Sequence, residues 1–155
     1  MRRTYWGLLA AALLAVAATA LGQASDLLAK CLGEPLSAYA KAFGDTFTSV
    51  EKTPHGNVTV GQYKTGSAMI EVKQRTGEKR PLVVNVYYYQ EPKRDWKLAL
   101  TDIGLSSTGV TAKSDAKHWV HLSHIRAPKP VRIEAVYVPL GPSNPNGPEL
   151  HITLR

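Results

Sequence analysis

The feature that most constrains the fold is an uninterrupted β-forming run at residues 81–90, PLVVNVYYYQ. It is rich in β-branched and aromatic side chains, which favour a strand over a helix. Alternate residues from Leu82 to Tyr88 are all apolar and predict a continuous core face. The intervening residues from Val83 to Tyr89 are partly apolar too. A strand with this pattern is typical of the centre of a sheet, with its second face half-covered or available for binding.

Five further strands are predicted from β-type composition between turn residues, at residues 58–65, 68–75, 118–125, 131–140 and 150–154. Their hairpin spacing favours antiparallel pairing. Regular alternation of strand and helix is absent, which argues against a parallel, doubly wound sheet. A long, mobile loop rich in Gly and Pro is expected at residues 141–149.

Three short helices are predicted at residues 25–33, 37–44 and 95–104. Each begins at a residue whose side chain can accept a hydrogen bond from the first turn, and each ends at a glycine. The capping residues are Ser25, Ser37 and Asp95, and the glycines are Gly33, Gly44 and Gly104. Because the helices are amphipathic, their apolar stripes must pack on the sheet. The predicted class is therefore α+β, a mainly antiparallel sheet with short helices on one face.

The segment LGEPLSAYAKAFGD at residues 32–45 resembles the two-helix opening of small exported α+β domains. Such openings occur in outer-membrane assembly lipoproteins and in β-lactamase-inhibitor-like proteins. The resemblance covers 14 of the 155 residues and implies an exported α+β domain. The lipid attachment site of the assembly lipoproteins is missing, and no residue roles are transferred.

The first 24 residues predict a cleaved signal peptide, leaving a single domain at residues 25–155. Arg2 and Arg3 precede an apolar run, and small residues then permit cleavage after Ala20 or Ala24. The alternative is an uncleaved membrane anchor. A helix over residues 6–21 reaches only about 24 Å, against a hydrocarbon core of about 30 Å. A periplasmic or secreted location is therefore expected.

Cys31 is the single cysteine of the chain. Lys30 precedes it, several residues beyond the apolar run, which excludes a lipid-modified cysteine. A chain with one thiol forms no internal disulfide. Two alternatives remain, a buried helical side chain and an intermolecular disulfide in an oxidising compartment.

The charge balance predicts a mildly basic exported protein. The net charge is +7 with neutral histidines, and loss of Arg2 and Arg3 leaves 17 basic and 12 acidic residues, or +5. Such a balance serves solubility, or attraction to an anionic partner such as nucleic acid, a polysaccharide or a lipid surface.

A ligand-binding site is predicted where basic and aromatic residues share a sheet face, at Lys73, Arg75, Tyr87 and Tyr89. Exposed aromatic rings stack on bases while neighbouring cations hold phosphates. Tyrosines on a half-covered sheet face also serve packing, which is the alternative interpretation.

Three histidines, His118, His121 and His124, raise the question of a metal site. In a strand, His118 and His124 share a face about 20 Å apart, and His121 points to the opposite side. That spacing is poor for one ion, because zinc needs close-set ligands. His55 or His151 could add a ligand, but nothing in the pattern requires one, and no metal or cofactor is predicted.

Catalytic patterns are missing from the sequence. No G-x-S-x-G elbow, phosphate loop or dinucleotide motif occurs, and no catalytic residue is assigned. We therefore expect a non-catalytic binding or scaffolding domain of the cell envelope, acting on a partner protein. The first alternative is an extracytoplasmic binder of anionic polymer, and the second is a histidine-dependent metal-binding module.

Overall fold

The computed structural model describes residues 27–44, 47–65, 68–88, 95–142 and 144–155. Within these ranges the chain forms short helices and one antiparallel sheet. Helix α1 occupies residues 27–31, α2 spans Leu36–Phe43 and α3 spans Trp96–Asp102. The predicted leader and Tyr89 lie outside the described residues.

Eight strands make up the sheet, and every neighbouring pair is antiparallel. The strands are β1 Phe47–Thr53, β2 Gly56–Thr65, β3 Ala68–Arg75, β4 Val83–Tyr88, β5 Thr111–Ser114, β6 Val120–Ile125, β7 Ile133–Val138 and β8 Glu149–Leu154. Their order across the sheet is β1-β2-β3-β4-β8-β7-β6-β5. The mixed, sheet-rich class and the central place of the 81–90 run are thus confirmed.

The strand order divides the sheet into two equivalent halves. In each half a helix is followed by a four-stranded meander, α2 with β1–β4 and α3 with β5–β8. The halves meet where β4 pairs antiparallel with β8, so Val84 lies opposite Ile152 and Asn85 opposite His151. The order of the elements is therefore that of one unit repeated by a two-fold axis through the β4–β8 pair.

One face of the sheet carries the core. Buried side chains of the helices and of alternate strand positions form one apolar cluster, which includes Leu32, Tyr39, Val84, Leu100 and Ile152. Burial of such side chains supplies most of the driving force for folding. The described helices therefore pack on the same face, and none of them covers the opposite face of the sheet.

Of the predicted helix caps, the structure confirms Asp95 and contradicts Ser37, and Ser25 lies outside the described residues. Asp95 accepts a hydrogen bond from the Leu98 amide at 2.8 Å, as expected for a cap. Ser37 does not cap α2, because that helix already begins at Leu36 after Pro35 and has no side-chain cap. The Leu36 amide instead donates to Gln74 Oε1 on β3 at 2.9 Å.

The sequence missed the two outermost strands. β1 is exposed on both faces, and its apolar and polar residues therefore show no alternation. β5 has four residues, all of them exposed. Periodicity detects a strand only where burial distinguishes its two faces, so strands at the edges of a sheet escape it. The predicted boundaries 118–125 and 131–140 were correspondingly too long, since β6 begins at Val120 and β7 at Ile133.

Two glycine-containing segments are closely packed or anchored. A Cβ atom at Gly61 in β2 would lie 2.9 Å from Leu36 Cδ1, so this position has no room for a side chain. The loop at residues 141–149 is more firmly anchored than its composition indicates. Asn144 is buried, and Pro148 accepts a hydrogen bond from the Tyr88 amide at 2.9 Å. Among the described residues, none of the helices is long and apolar enough to cross a bilayer.

Candidate binding face

The sheet surface opposite the helices, here called the open face, carries a row of polar side chains across neighbouring strands. The register places Glu71 of β3 opposite Asn85 of β4, and Asn85 opposite His151 of β8. Toward the far edge, Lys113 of β5 lies opposite His121 of β6. Strand pairing, and not proximity in sequence, therefore assembles this surface.

A hydrogen-bonded network occupies the centre of the open face. Asn85 is only 7% exposed and donates from Nδ2 to Glu71 Oε1 at 3.1 Å. His151 lies between two acceptors, with Nδ1 2.9 Å from Asn85 Oδ1 and Nε2 2.9 Å from Glu149 Oε2. The Tyr87 hydroxyl reaches Glu71 Oε1 at 3.3 Å. The network ties β3, β4 and β8 together and fixes the orientation of each member.

The network shifts the pKa values of two of its members. Burial by itself raises the pKa of Glu71, but hydrogen bonds from Asn85 and Gln62 and the charge of Lys73 outweigh it and hold the pKa below its usual range. Burial, together with the nearby Glu71 charge, raises the pKa of Tyr87 to about 12. Glu71 is therefore a carboxylate and Tyr87 a neutral phenol at neutral pH.

The residues of the predicted ligand site are only partly brought together. Lys73, Arg75 and Tyr87 share the open face, but Lys73 lies opposite Val83 and so four residues from Tyr87 along β4. Lys73 Nζ is 3.4 Å from Glu71 Oε1 and 3.5 Å from a Glu51 carboxylate oxygen. These carboxylates neutralise the cation that was predicted to meet a ligand.

Arg75 is also paired with a carboxylate of its own surface. Its Nη1 lies 3.5 Å from Glu78 Oε1 across the β3–β4 turn. Tyr89, the fourth residue of the predicted site, is outside the described residues. Among the described members of the site, therefore, the cations are occupied by neighbouring acids and the tyrosine by the central network.

A trough of about 340 Å³ lies on the open face at the β5–β8 end of the sheet. Its walls combine hydroxyl, imidazole, ammonium and carboxylate groups with the backbone of the central strands. The lining residues are Thr111, Lys113, His121, Leu122, Ser123, Glu134, Ala135, Val136 and Thr153. Sequence reasoning missed this trough because β5, which forms one wall, has no recognisable strand pattern.

Charged groups are distributed unevenly around the trough. Lys113 forms no ion pair with another described residue. Glu134, on the opposite wall, is held between Arg132 Nη2 at 2.9 Å and Arg155 Nη2 at 3.3 Å. His121 Nε2 is 3.0 Å from Asp115 Oδ2, and hydrogen bonding from this imidazole lowers the pKa of Asp115. The Lys113 ammonium group is thus the charge on the β5 wall of the trough that no described acidic residue neutralises.

The three clustered histidines do not converge. His118 precedes β6 and His124 lies in a bulge of that strand, both with positive φ. His124 Nδ1 is 3.2 Å from Thr111 Oγ1 and 3.3 Å from Ser123 Oγ. Within the described ranges, no group of three or more His, Cys, Asp or Glu residues could hold a metal ion.

Cys31 is buried in α1, and its thiol faces the Ala38 carbonyl oxygen at 3.8 Å. Burial raises its pKa, so the unreactive thiol form is favoured. The buried location agrees with the first of the two interpretations drawn from the sequence. Access to this sulfur requires movement of the surrounding core.

Among the described residues, hydrogen bonds do not connect a nucleophile, a base and an acid in one catalytic relay. Asp115 orients His121, whereas the hydroxyls of Ser123 and Thr111 contact the neighbouring His124. A triad needs the nucleophile and the orienting acid on the same imidazole. In this arrangement they belong to different rings.

Comparison with protein-family models, with curated proteins and with solved structures gave no match. The described sheet has a covered face, which carries the core, and an open face, which carries a central network and a lateral trough.

Proposed function

We propose that this chain is an exported, non-catalytic binding domain of the cell envelope, and that the open face of its sheet holds the partner. In this proposal a signal peptide at residues 1–24 is removed and residues 25–155 act as one domain. The observation that carries the binding role is the trough at the β5–β8 end of the open face. A volume of about 340 Å³ lies within the range of natural ligand sites.

The trough lining indicates recognition of a polar segment of the partner. Lys113 supplies an ammonium group, and Thr111 and Ser123 supply hydroxyl groups along the same wall. The Asp115 carboxylate fixes the His121 ring, and two arginines fix Glu134, so little side-chain freedom is lost on binding at these positions. A loop or chain end that carries a carboxylate fits this set of donors.

The arrangement of nucleophiles supports a non-catalytic role. The buried Cys31 thiol has a raised pKa, and the His121–Asp115 pair has no described hydroxyl contact. Turnover of substrates in a broad hydrolase panel, abolished by His121→Ala or Cys31→Ala, would replace this proposal with an enzymatic one.

Site-directed photo-crosslinking in the native envelope tests the binding surface. A photoreactive residue at Thr111, which lines the trough, is compared with one at Leu98, which is 53% exposed on α3 on the covered side. We expect a discrete adduct from position 111 that is lost on Lys113→Glu, and no such adduct from position 98. Equal labelling from both positions contradicts the assignment.

Fractionation of the same cells tests export separately. The expected result is a shortened chain in the periplasm or medium, with its N-terminus after Ala20 or Ala24. A full-length chain retained in the cytosol contradicts export.

A second candidate is binding of an anionic polymer, supported by the net charge of +5 that remains after removal of residues 1–24 and by the available Lys113 ammonium group. The pairing of Lys73 with Glu51 and Glu71 favours the first proposal over this one. The polymer hypothesis predicts retention on heparin or single-stranded DNA that falls steeply with salt and weakens in Lys113→Ala. Absence of retention at low salt excludes it.

A further inference from the structure

β1 is one of the two edge strands of the described sheet. It is the longer of the two, and most of its side chains are exposed. It lies at one end of the strand order, pairs on one side with β2, and has the burial of a strand exposed on both faces. Phe47 and Val50 are 56% and 61% exposed. They lie on opposite faces of β1, so both faces of the edge present an apolar side chain.

Natural sheets usually protect such an edge, and the opposite edge of this sheet shows how. β5 has only four residues and pairs with β6 next to the irregularity at His124. β1 has seven residues, no proline and a regular register with β2 throughout. Because the two edges occupy equivalent positions in the two halves, the difference between them is specific to β1.

We propose that β1 pairs antiparallel with β1 of a second copy of the chain, which joins the two sheets into one. A two-fold axis perpendicular to the sheet reverses strand direction and preserves each face. Overlap of all seven residues then places Val50 on the axis, opposite its symmetry mate. Phe47 faces Thr53 of the second copy, on the open-face side.

The charge pattern of β1 favours a second copy over a charged foreign strand. Glu51 and Lys52 give the strand a net charge of zero. In the full-overlap register Glu51 faces Ser49 and Lys52 faces Thr48, so no like charges are directly opposed. If the two-fold axis moves from Val50 to Glu51, the two Glu51 side chains face each other. If it moves on to Lys52, the two Lys52 side chains do so. Full overlap therefore keeps both like-charge pairs apart while it pairs the whole strand.

The residues that carry this inference are distinct from the trough. β1 and the trough lie at opposite ends of the strand order, and Val50 lies on the covered side, whereas the trough lies on the open face. Dimer formation and ligand binding are thus separable by mutation. The interface is one strand edge with a few side chains, so a weak, concentration-dependent dimer is expected.

Sedimentation equilibrium of the purified chain, from micromolar to sub-millimolar concentration, tests the association. We expect a reversible monomer–dimer equilibrium whose dissociation constant rises about tenfold or more in Val50→Lys, because two ammonium groups then meet on the axis. The matched control Leu98→Lys adds the same charge at an equally exposed site and is expected to leave the constant unchanged.

Cysteine crosslinking tests the register. Two Val50→Cys side chains on the axis have Cα atoms about 4.5–5.5 Å apart, within reach of a disulfide. A mixture of Phe47→Cys and Thr53→Cys chains is expected to form the heterodimer, and Leu98→Cys and the unsubstituted chain are expected to form none.

A chain that stays monomeric at every concentration, with Val50→Cys no more reactive than Leu98→Cys, overturns the proposal. Dimers that are unaffected by Val50→Lys overturn it too, since they use another surface. Crosslinking of Phe47→Cys to Phe47→Cys, without the Thr53 heterodimer, excludes the full-overlap register that places Val50 on the axis.

Discussion

At the scale of single residues, two buried tyrosines of the core differ in the use of their hydroxyl groups. The Tyr39 hydroxyl is buried without a hydrogen-bond partner among the described residues, whereas the Tyr88 hydroxyl donates to the Ala99 carbonyl at 2.9 Å. An unsatisfied buried polar group costs about 1–3 kcal/mol, and a typical made bond contributes about 1 kcal/mol. Tyr39→Phe should therefore raise the free energy of unfolding by about 1 kcal/mol, and Tyr88→Phe should lower it by a similar amount.

Urea denaturation followed by circular dichroism measures both changes. The two variants serve as controls for each other, because each removes one oxygen from a buried ring. A loss of stability in Tyr39→Phe equal to that in Tyr88→Phe would show that the Tyr39 hydroxyl has a partner after all.

Glu71 makes the stability of the open face dependent on pH. Its pKa is lowered in the folded state, so its stabilising contribution is fully present above the unfolded value, about 4.3, and is lost as the pH falls through the folded value. We expect Glu71→Gln to lower the free energy of unfolding by about 1–3 kcal/mol at pH 7. The difference from the parent should narrow as the pH falls below about 4.

The control for this titration is Glu78→Gln, which removes an exposed partner of Arg75. Exposed ion pairs contribute about 0–1 kcal/mol, so this variant should follow the parent closely across the pH range. A Glu71→Gln deficit that stays constant down to acid pH would assign the loss to packing instead of charge.

Sequence reasoning succeeds at residues whose role is local. Asp95 was expected to cap a helix and does so, because residues within one turn of the chain decide whether a cap forms. It could not foresee that Lys73 is held by Glu51 and Glu71. Glu51 belongs to β1, which showed no strand pattern, so the partner strand that supplies the carboxylate was missing from the prediction.

At the scale of elements, α2 and α3, whose predicted caps lie in the described residues, provide a matched comparison. Asp95 accepts the Leu98 amide at 2.8 Å, whereas Ser37 lies inside α2 and caps nothing. Loss of a helix cap costs about 1 kcal/mol. Asp95→Ala should therefore lower the free energy of unfolding by about that amount, and Ser37→Ala should change it by less than about 0.5 kcal/mol.

Thermal unfolding followed in the far ultraviolet compares the two variants directly. Ser37→Ala is the control, since it removes a polar side-chain oxygen from a predicted cap that the structure does not use. Equal destabilisation by both substitutions would indicate that α2 begins two residues later in solution, at Ala38, and that Ser37 does cap it.

The elements that sequence patterns reveal are those with one buried face. β3 and β4 pack one side on the core, and their alternation or apolar run is evident. β1 and β5 pack neither side, so the free energy that holds them comes from pairing with a neighbour strand. Such pairing does not produce hydrophobic periodicity. The β5 wall of the trough and the exposed β1 edge were therefore not predicted from the sequence.

At the scale of the whole molecule, the two halves depend on a shared centre. β4 and β8 join the meanders, and buried residues of both strands, including Val84, Val86, Leu150 and Ile152, belong to one core cluster. Because neither half can lose this ladder without exposing the core of the other, the halves should unfold together. The structure thus has a stable centre and two edges of lower protection.

Amide hydrogen exchange should therefore slow progressively from both edges toward the centre of the sheet. In dilute protein we expect β1 and β5 to exchange fastest and β4 and β8 to exchange only by global unfolding. Raising the protein concentration should slow exchange in β1 and leave β5 unchanged, because only β1 acquires a second strand in the proposed dimer. Mass spectrometry of peptides that cover the four strands measures all of these rates in one experiment. Fast exchange in β4, or unequal global rates in the two halves, would contradict a shared centre; equal slowing of β1 and β5 would contradict pairing through β1.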